Sequence, residues 1–386
     1  MFVRQPITIY LIKKECSNME KIAIIGGGII GMTLANYIDQ EKFSVSLFDG
    51  KTGQATSASA GIISPWLSKR RNKKWYHLAK DGAAFFPKLV QDLSLDDSIY
   101  YQSGTLLLRS DEELDQLAEL AEERKQEAPE IGTIERLTPE QTASALPLLR
   151  PVQSLKISGG GRLDGKAYLQ HLRKLASAKG TTFFDEKITL SRKNGAWLVS
   201  GSFGTSSFDR LVLTPGPSLA SLLEQIGYQA DIRPQKGQLL VFETEYAESR
   251  NWPVAILDGE ADLIPFNDGK ILIGATHEND GGWDLSPSEA AYQQLTTKTV
   301  EFLTDSADLL NWPYHFRVGT RAYTSDFAPF FGPVLNDETL LAASGLGSSG
   351  LTTGPYIGYL LADYLNNGHF DTEHYQKPID TYIKKA

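Results

Sequence analysis

Two groups of residues in this chain sit where they could do chemistry. Gly26, Gly28 and Gly31, within "IAIIGGGIIG", have the spacing of a turn that cradles a phosphate. The first glycine permits the tight turn. The second lets backbone approach a pyrophosphate, and the third lets a helix pack close to the preceding strand. The helix N-terminus then offers N–H groups and the positive end of its dipole to an anion. Asp49 stands 18 residues beyond Gly31, at the end of the next apolar run, where a carboxylate would bind ribose hydroxyls. Far along the chain, "VGTRAYTSDFAPFFGPV" sets Arg321 among aromatics and prolines. A guanidinium beside apolar surface is costly unless a negative group meets it. That group is either a protein carboxylate, such as Asp326 or Glu278, or a ligand.

The elements that must position these residues can be read from periodicity. "KIAII" is a buried-strand pattern, "GGGIIGMTLANYIDQ" a glycine turn opening into a helix, and "FSVSLFDG" a second strand. Together they form the β-α-β unit of a Rossmann half. Helical patterns cover 75–93, "DEELDQLAELAEERKQEA" and "DGKAYLQHLRKLASAKG", the last closed by Gly180. "IYYQSGTLLLRS" reads as a strand over 99–110, followed later by the strand "TTFFDEKI". Residues 190–216 read as a meander with Asn194-Gly195 as its hairpin turn, returning to a buried strand. "QKGQLLVFETE", "ADLIPF" and "KILIGAT" are further strands. "SPSEAAYQQLTTKTVEFL" is a helix, for which Ser286 as N-cap, Pro287 in the first turn and Glu289 make a capping box. "LLAASGLGSSGLTTGPYIGYLLADYL" is strand, glycine loop and helix again.

The fold class expected is α/β, with a Rossmann-like cofactor domain and an inserted antiparallel-sheet domain for substrate. The cofactor domain is assembled from 20–65, 150–225 and 330–386. The substrate domain comprises 66–149 and 226–329, and residues 1–19 are an extension; another reading takes Met19 as the natural start, with 1–18 upstream of it.

Composition narrows the function. The 386 residues carry a formal charge of -9, which argues against a general nucleic-acid binder. One cysteine, Cys16, allows no intrachain disulfide and no thiolate cluster, and the scattered histidines predict no metal site. No apolar run reaches membrane-span length and no signal peptide is evident, so a soluble, cytoplasmic protein is expected. An oligomer is compatible with the composition. The basic run "SKRRNKKW" (68–75) reads as a solvated face, with steering of an anionic substrate as the alternative.

The fingerprint alone does not separate FAD from NAD. Three later segments favour a flavin: the small-residue stretch "SASAGIIS" (57–64), "LTPG" (213–216) and the second glycine loop "SGLGSSGLTTGP" (344–355). A second helix N-terminus there would stabilise negative charge at the pyrimidine end of a reduced flavin. With "GGGRLDG", "GKILIGATHE" and "GTRAYTSDFAPFFGP", these segments resemble the FAD-dependent D-amino-acid oxidase family. That family includes glycine oxidase, sarcosine oxidase and D-amino-acid dehydrogenases, and the resemblance covers nearly the whole chain after residue 20.

The resemblance implies FAD and oxidation of a C–N bond in a small carboxylate-bearing amine to the imino acid, by hydride transfer to flavin N5. Oxygen or another acceptor would take the electrons. It implies that Gly26, Gly28, Ile30 and Gly31 hold the pyrophosphate, Asp49 the ribose, and Ser59, Ala60, Gly61 and Ile62 the flavin flank. Ile188 would meet adenine through its backbone, and Gly216 would pack near the cofactor. Leu346, Gly347, Gly350, Leu351 and Thr352 would line the pyrimidine edge, and Arg321 would grip the substrate carboxylate. His277, at a strand end, either touches substrate or is an ordinary loop histidine.

Two departures stand out. Glycine-oxidase-like members often carry a tyrosine in the strand that here reads "ADLIPF", and Leu263 and Phe266 imply loss of that polar contact. Gly319 stands where sarcosine oxidases link the flavin through cysteine, so FAD is expected to be non-covalent. Trp66, Trp283 and Tyr323 are either a cap over the pocket or core residues. The alternatives are 2-hydroxy-acid oxidation on the same fold, or a flavin-binding protein with degenerate catalysis.

Overall fold

Strands rich in β-branched and aliphatic residues assemble the sheet that carries the glycine turn. Its order is Phe330–Val334, Asp337–Ser344, Arg210–Leu213, Glu20–Ile25, Phe43–Phe48, Thr182–Phe184. The pairings are parallel except at the Phe330–Val334 edge. In Glu20–Ile25 four consecutive residues are buried, as expected of a parallel strand covered on both faces. This computed structural model describes residues 19–68, 72–259, 261–335, 337–368 and 372–386. The extension 1–18 with Cys16, and 69–71 of the basic run, lie outside the described residues.

One face of the sheet packs against helices Ile29–Tyr37, Gly165–Lys179 and Gly350–Asn367. The other packs against the antiparallel meander over 189–208 and the helix Leu219–Glu224. Helix Gly350–Asn367 approaches the glycine-turn helix through Gly354 and Gly358, four residues apart on one face. A Cβ at Gly358 would lie 2.7 Å from the Ile30 carbonyl oxygen, and one at Gly354 2.4 Å from Ile29 Cγ2. Gly358→Val is therefore expected to destabilise the fold by about 2–3 kcal/mol through overpacking, measurable as a lower urea midpoint with an unchanged slope.

A second sheet has eight strands. Its order is Tyr314–Tyr323, Arg233–Glu243, Lys270–Gly274, Asp262–Pro265, Val254–Ile256, Thr105–Leu107, Ser154–Ile157, Ile134–Leu137. Side chains alternate between its faces. Leu240, Phe242, Leu263, Ile271 and Ile273 lie beneath helix Glu289–Val300. Leu239, Val241, Ile264, Phe266 and Leu272 face the opposite way and pack with Ala60, Ile62 and Ala275. The edge strand Tyr314–Tyr323 is tied to the loop after Asp49, with Thr320 N–H donating to Gly53 O at 2.7 Å. That cover removes an open sheet edge.

Four sequence expectations need correction. Residues 99–110 are not one strand: Tyr100–Tyr101 and Thr105–Leu107 belong to different sheets, separated at Gly104 with φ 77°. Helix Glu289–Val300 is capped by Ser288, not Ser286. Ser288 exchanges hydrogen bonds with buried Gln238, while the Ser286 carbonyl is taken by Lys236 Nζ. Only Thr182–Phe184 of "TTFFDEKI" pairs as a strand, so Ile188 sits beyond it. The strand Val254–Ile256 was not foreseen. Ser154–Ile157 pairs in the eight-stranded sheet, inside the range 150–225 expected for the cofactor domain. We propose that the boundary between the two units falls after residue 157.

Candidate active site

The C-terminal ends of the parallel strands converge on the glycine turn. Gly26 N–H donates to Phe48 O, Thr214 N–H to Ile25 O, and Asp49 N–H to Phe184 O. Gly26 takes φ +111°, and a Cβ on it would meet the Thr214 carbonyl at 2.4 Å. A Cβ on Gly31 would stand 2.0 Å from Gly26 O, so this glycine brings helix and strand together. Gly28 differs: the nearest atom to a Cβ there is Thr56 Oγ1 at 3.5 Å. The turn therefore presents open space at its second glycine. Thr56, which sequence reading missed, accepts a hydrogen bond from the Ile29 N–H at 3.1 Å and caps the helix start. The signal was slight, since an isolated threonine in a loop has many uses.

From this turn a cavity of about 970 Å³ runs between the two sheets. Its near end is lined by Gly26, Gly28, Ile30, Asp49 and Ile188. Ser59, Ala60, Gly61 and Ile62 flank its middle, with Gly216 opposite. The small residues are required: Gly61 has φ +93° and a Cβ there would lie 2.4 Å from Leu163 O. Leu346, Gly347, Gly350 and Leu351 form one wall of the far end, at the start of helix Gly350–Asn367. Arg321, His277, Trp283, Gly319 and Asp262 complete that end.

Arg321 is half-buried on the edge strand. Its Nη1 donates to the Thr276 carbonyl at 2.9 Å and to Gln235 Oε1 at 3.3 Å. The guanidinium lies over Gly237, where a Cβ would come 2.5 Å from Nη1. The two carboxylates weighed as partners have other contacts. Glu278 accepts from Thr276 Oγ1 and Gln238 Nε2, and Asp326 from Lys377 and Thr324.

Three comparisons bear on this geometry. The profile of the family described as FAD dependent oxidoreductase, DAO, matches residues 21–364. The chain belongs to this family. This FAD-dependent oxidoreductase is 36% identical to the uncharacterized oxidoreductase YurR of Bacillus subtilis (strain 168), over 89% of this chain and 94% of that protein. It is 26% identical to the glycine oxidase of Pseudomonas aeruginosa (strain ATCC 15692), covering 90% of this chain and 95% of the relative. The crystal structure of iminodiacetate oxidase from Chelativorans sp. BNC1 superposes with a TM-score of 0.85 at 28% identity, covering 94% of this chain and 98% of that one.

The residues present fit FAD. The open face of Gly28 adjoins a cavity that is lined both by the glycine turn and by the start of helix Gly350–Asn367. Two residues expected at the cofactor do not line the cavity. Gly31 lies behind the turn, and Thr352 is 5% exposed with its carbonyl 2.5 Å from where a Cβ of Gly82 would stand. Helix Lys73–Ala84, packed close at Gly82, keeps Thr352 off the wall. Of the aromatics, Trp283 lines the cavity and is 46% exposed. Trp66 is core, with Nε1 donating to Glu130, and Tyr323 is core beneath the glycine loop, its hydroxyl accepting from Ser348 N–H. Among the described residues no helix is long and apolar enough to cross a membrane, and no group of three or more acidic, histidine or cysteine residues could hold a metal.

The strand "ADLIPF" carries no tyrosine, and its residues divide between the two faces. Leu263 faces away from the cavity and Phe266 is buried against Ala60 and Ile62. The polar group on the cavity is Asp262. Burial pushes its carboxyl up to about 7, opposed by the Leu257 N–H bond and by Arg109. A carboxyl raised in the folded state contributes stability that is present at low pH and lost as pH rises toward and through about 7. Asp262→Asn is accordingly expected to raise the thermal midpoint relative to wild type at pH 8.5 and to give no comparable gain at pH 5.

Proposed function

We propose that this FAD-dependent oxidoreductase oxidises a small carboxylate-bearing amine, of the glycine, sarcosine or D-amino-acid type, to the imino acid. The observation that carries this reading is the placement of Arg321 in the same cavity as the glycine turn. A guanidinium fork matches a carboxylate in a bidentate pair and fixes its orientation. The names of two similar proteins, a glycine oxidase and an iminodiacetate oxidase, support an amine bearing carboxylate groups. FAD, when bound, supplies the hydride acceptor.

The remaining roles follow from position. Gly26, Gly28 and Ile30 hold the pyrophosphate, with Gly31 as the packing glycine that lets the turn form. Asp49 binds the ribose, and Ile188 adjoins the adenine. Ser59 to Ile62 and Gly216 flank the flavin. The N-terminus of helix Gly350–Asn367, with Leu346, Gly347 and Leu351, stabilises negative charge at the pyrimidine edge. His277, on the cavity wall at a strand end, contacts the substrate. FAD is held non-covalently: at Gly319, a Cβ would already meet Ala58 Cβ at 2.9 Å, and acid precipitation is expected to release the flavin to the supernatant.

Product analysis tests the reaction class. Aerobic incubation with sarcosine, iminodiacetate, glycine and D-alanine is expected to release an amine or ammonia together with a 2-oxo acid. Turnover of a 2-hydroxy acid with no active amine would replace this reading by the hydroxy-acid alternative.

A further inference from the structure

We propose that Asp262 recognises the amine end of the substrate and accepts its proton. The inference rests on the reading above that the substrate is a carboxylate-bearing amine, and it supplies the acid–base group which that reading lacks.

Alternation along Asp262–Pro265 sends Leu263 to the face under helix Glu289–Val300. Ile264 and Phe266 take the cofactor face, and Asp262 shares it by the same period of two. It is paired across the ladder with Gly274, and Gly274 with Leu239. Gly274 has no side chain, and the space over it is taken by Leu239, whose Cβ lies 2.4 Å from where a Cβ of Gly274 would stand. Asp262 Oδ1 accepts from Leu257 N–H at 3.1 Å. The carboxylate is thus fixed by one oxygen while the residue lines the cavity.

Among the described charged side chains, Arg109 acts on this carboxylate. Arg109 is engaged elsewhere, donating to the Leu108 and Ile256 carbonyls and lying 3.8 Å from Asp258. His277 and Arg321 line the same cavity. Asp262 and Arg321 stand on strands three places apart and four residues apart in register, roughly 20 Å between backbones; the guanidinium reaches back over Gly237, two strands and two residues from Asp262, or roughly 12 Å from its backbone. Opposite charges at the two sides of one cavity match the two ends of a zwitterion. A carboxylate at position 262 repels the substrate carboxylate and leaves Arg321 as its anchor.

An ammonium nitrogen has no lone pair with which to form a C=N bond. In the proposed step the substrate ammonium and the Asp262 carboxylate become neutral amine and carboxylic acid. One N–H bond breaks, one O–H bond forms, and no electrons leave either group. The proton returns to solvent after product departs. A carboxyl that titrates near neutrality, through burial, is suited to this exchange.

The test uses FAD-loaded enzyme and two ligands of one shape. 2-Aminoisobutyrate has no α-hydrogen and cannot be oxidised at that carbon. Pivalate replaces its nitrogen by a methyl group. Dissociation constants at pH 8 are read from the flavin absorbance change, and proton release from calorimetry in buffers of different ionisation enthalpy. Wild type is expected to bind 2-aminoisobutyrate at least about tenfold more tightly than pivalate, with no net proton passed to the buffer, since the ammonium proton moves to Asp262. Asp262→Asn is expected to reduce that preference to under about twofold without weakening pivalate binding, and Asp262→Glu to restore part of it. Asp262→Ser serves if the amide variant does not fold. Retention of the full preference in the folded Asn or Ser variant, with pivalate still bound, overturns the role of Asp262 alone. Failure of wild type to bind either ligand, with no flavin reduction by any amine, overturns the substrate reading and this proposal together.

Discussion

Gly31→Ala is expected to yield little folded protein, whereas Gly28→Ala is expected to fold and lose its cofactor. The two positions lie three residues apart in one turn, and the difference is geometric. A methyl at Gly31 would lie 2.0 Å from the Gly26 carbonyl oxygen and 2.7 Å from Thr214 Oγ1. Relief requires the helix to move off its strand, because the clash is with backbone in a fully buried layer. The cost is at or above the upper end of ordinary overpacking, about 3 kcal/mol, a large part of a typical total stability of roughly 5–15 kcal/mol. Gly28 has φ -80° and ψ -167°, which alanine adopts without strain, and its neighbour is 3.5 Å away. The added methyl fills the space into which a pyrophosphate would fit. FAD affinity is expected to fall at least about 100-fold, or about 2.7 kcal/mol. Thermal unfolding and flavin absorbance on one preparation separate the two outcomes. A yellow, stable Gly28→Ala protein would remove the phosphate-binding role of that glycine.

The second large effect is expected at Arg321. Replacing it by methionine keeps a long side chain over Gly237 but removes the charge. Truncating one partner of a desolvated charged pair typically costs about 3–5 kcal/mol. The apparent dissociation constant for an active amine, taken from the concentration dependence of flavin reduction, is thus expected to rise roughly 10²–10³-fold. Arg321→Lys retains the charge without the fork and should fall between the two. The limiting reduction rate should change less than the dissociation constant, because the guanidinium orients the carboxylate and not the reacting carbon. An unchanged dissociation constant in Arg321→Met would assign this arginine to structure, through the Thr276 carbonyl and Gln235.

Much of the nucleotide end could be read from sequence because each residue there answers a local demand. The glycine spacing, the strand before it and the carboxylate after it belong to one β-α-β unit of contiguous chain. Arg321 was visible for a different reason, as a charge in apolar surroundings. Asp262 was not, because a single aspartate before "LIPF" gives no sign of which sheet face it takes. That face is set by the register with Lys270–Gly274, a contact between separate strands. Thr352 shows the converse. It follows the second glycine loop closely in sequence, yet the helical turn and the close approach of Gly82 send it into the core. The displaced cap at Ser288 has the same origin, since buried Gln238 selects one serine over its neighbour.

The central claim is that bound FAD in this cavity takes electrons from a carboxylate-bearing amine. Anaerobic mixing of the holoenzyme with sarcosine, iminodiacetate, glycine, D-amino acids and matched 2-hydroxy acids tests it directly, with loss of the oxidised-flavin absorbance as the signal. Bleaching by at least one amine, and by no hydroxy acid at comparable concentration, is the result expected. Bleaching by hydroxy acids alone, or a fully loaded flavin that no amine reduces, would contradict it.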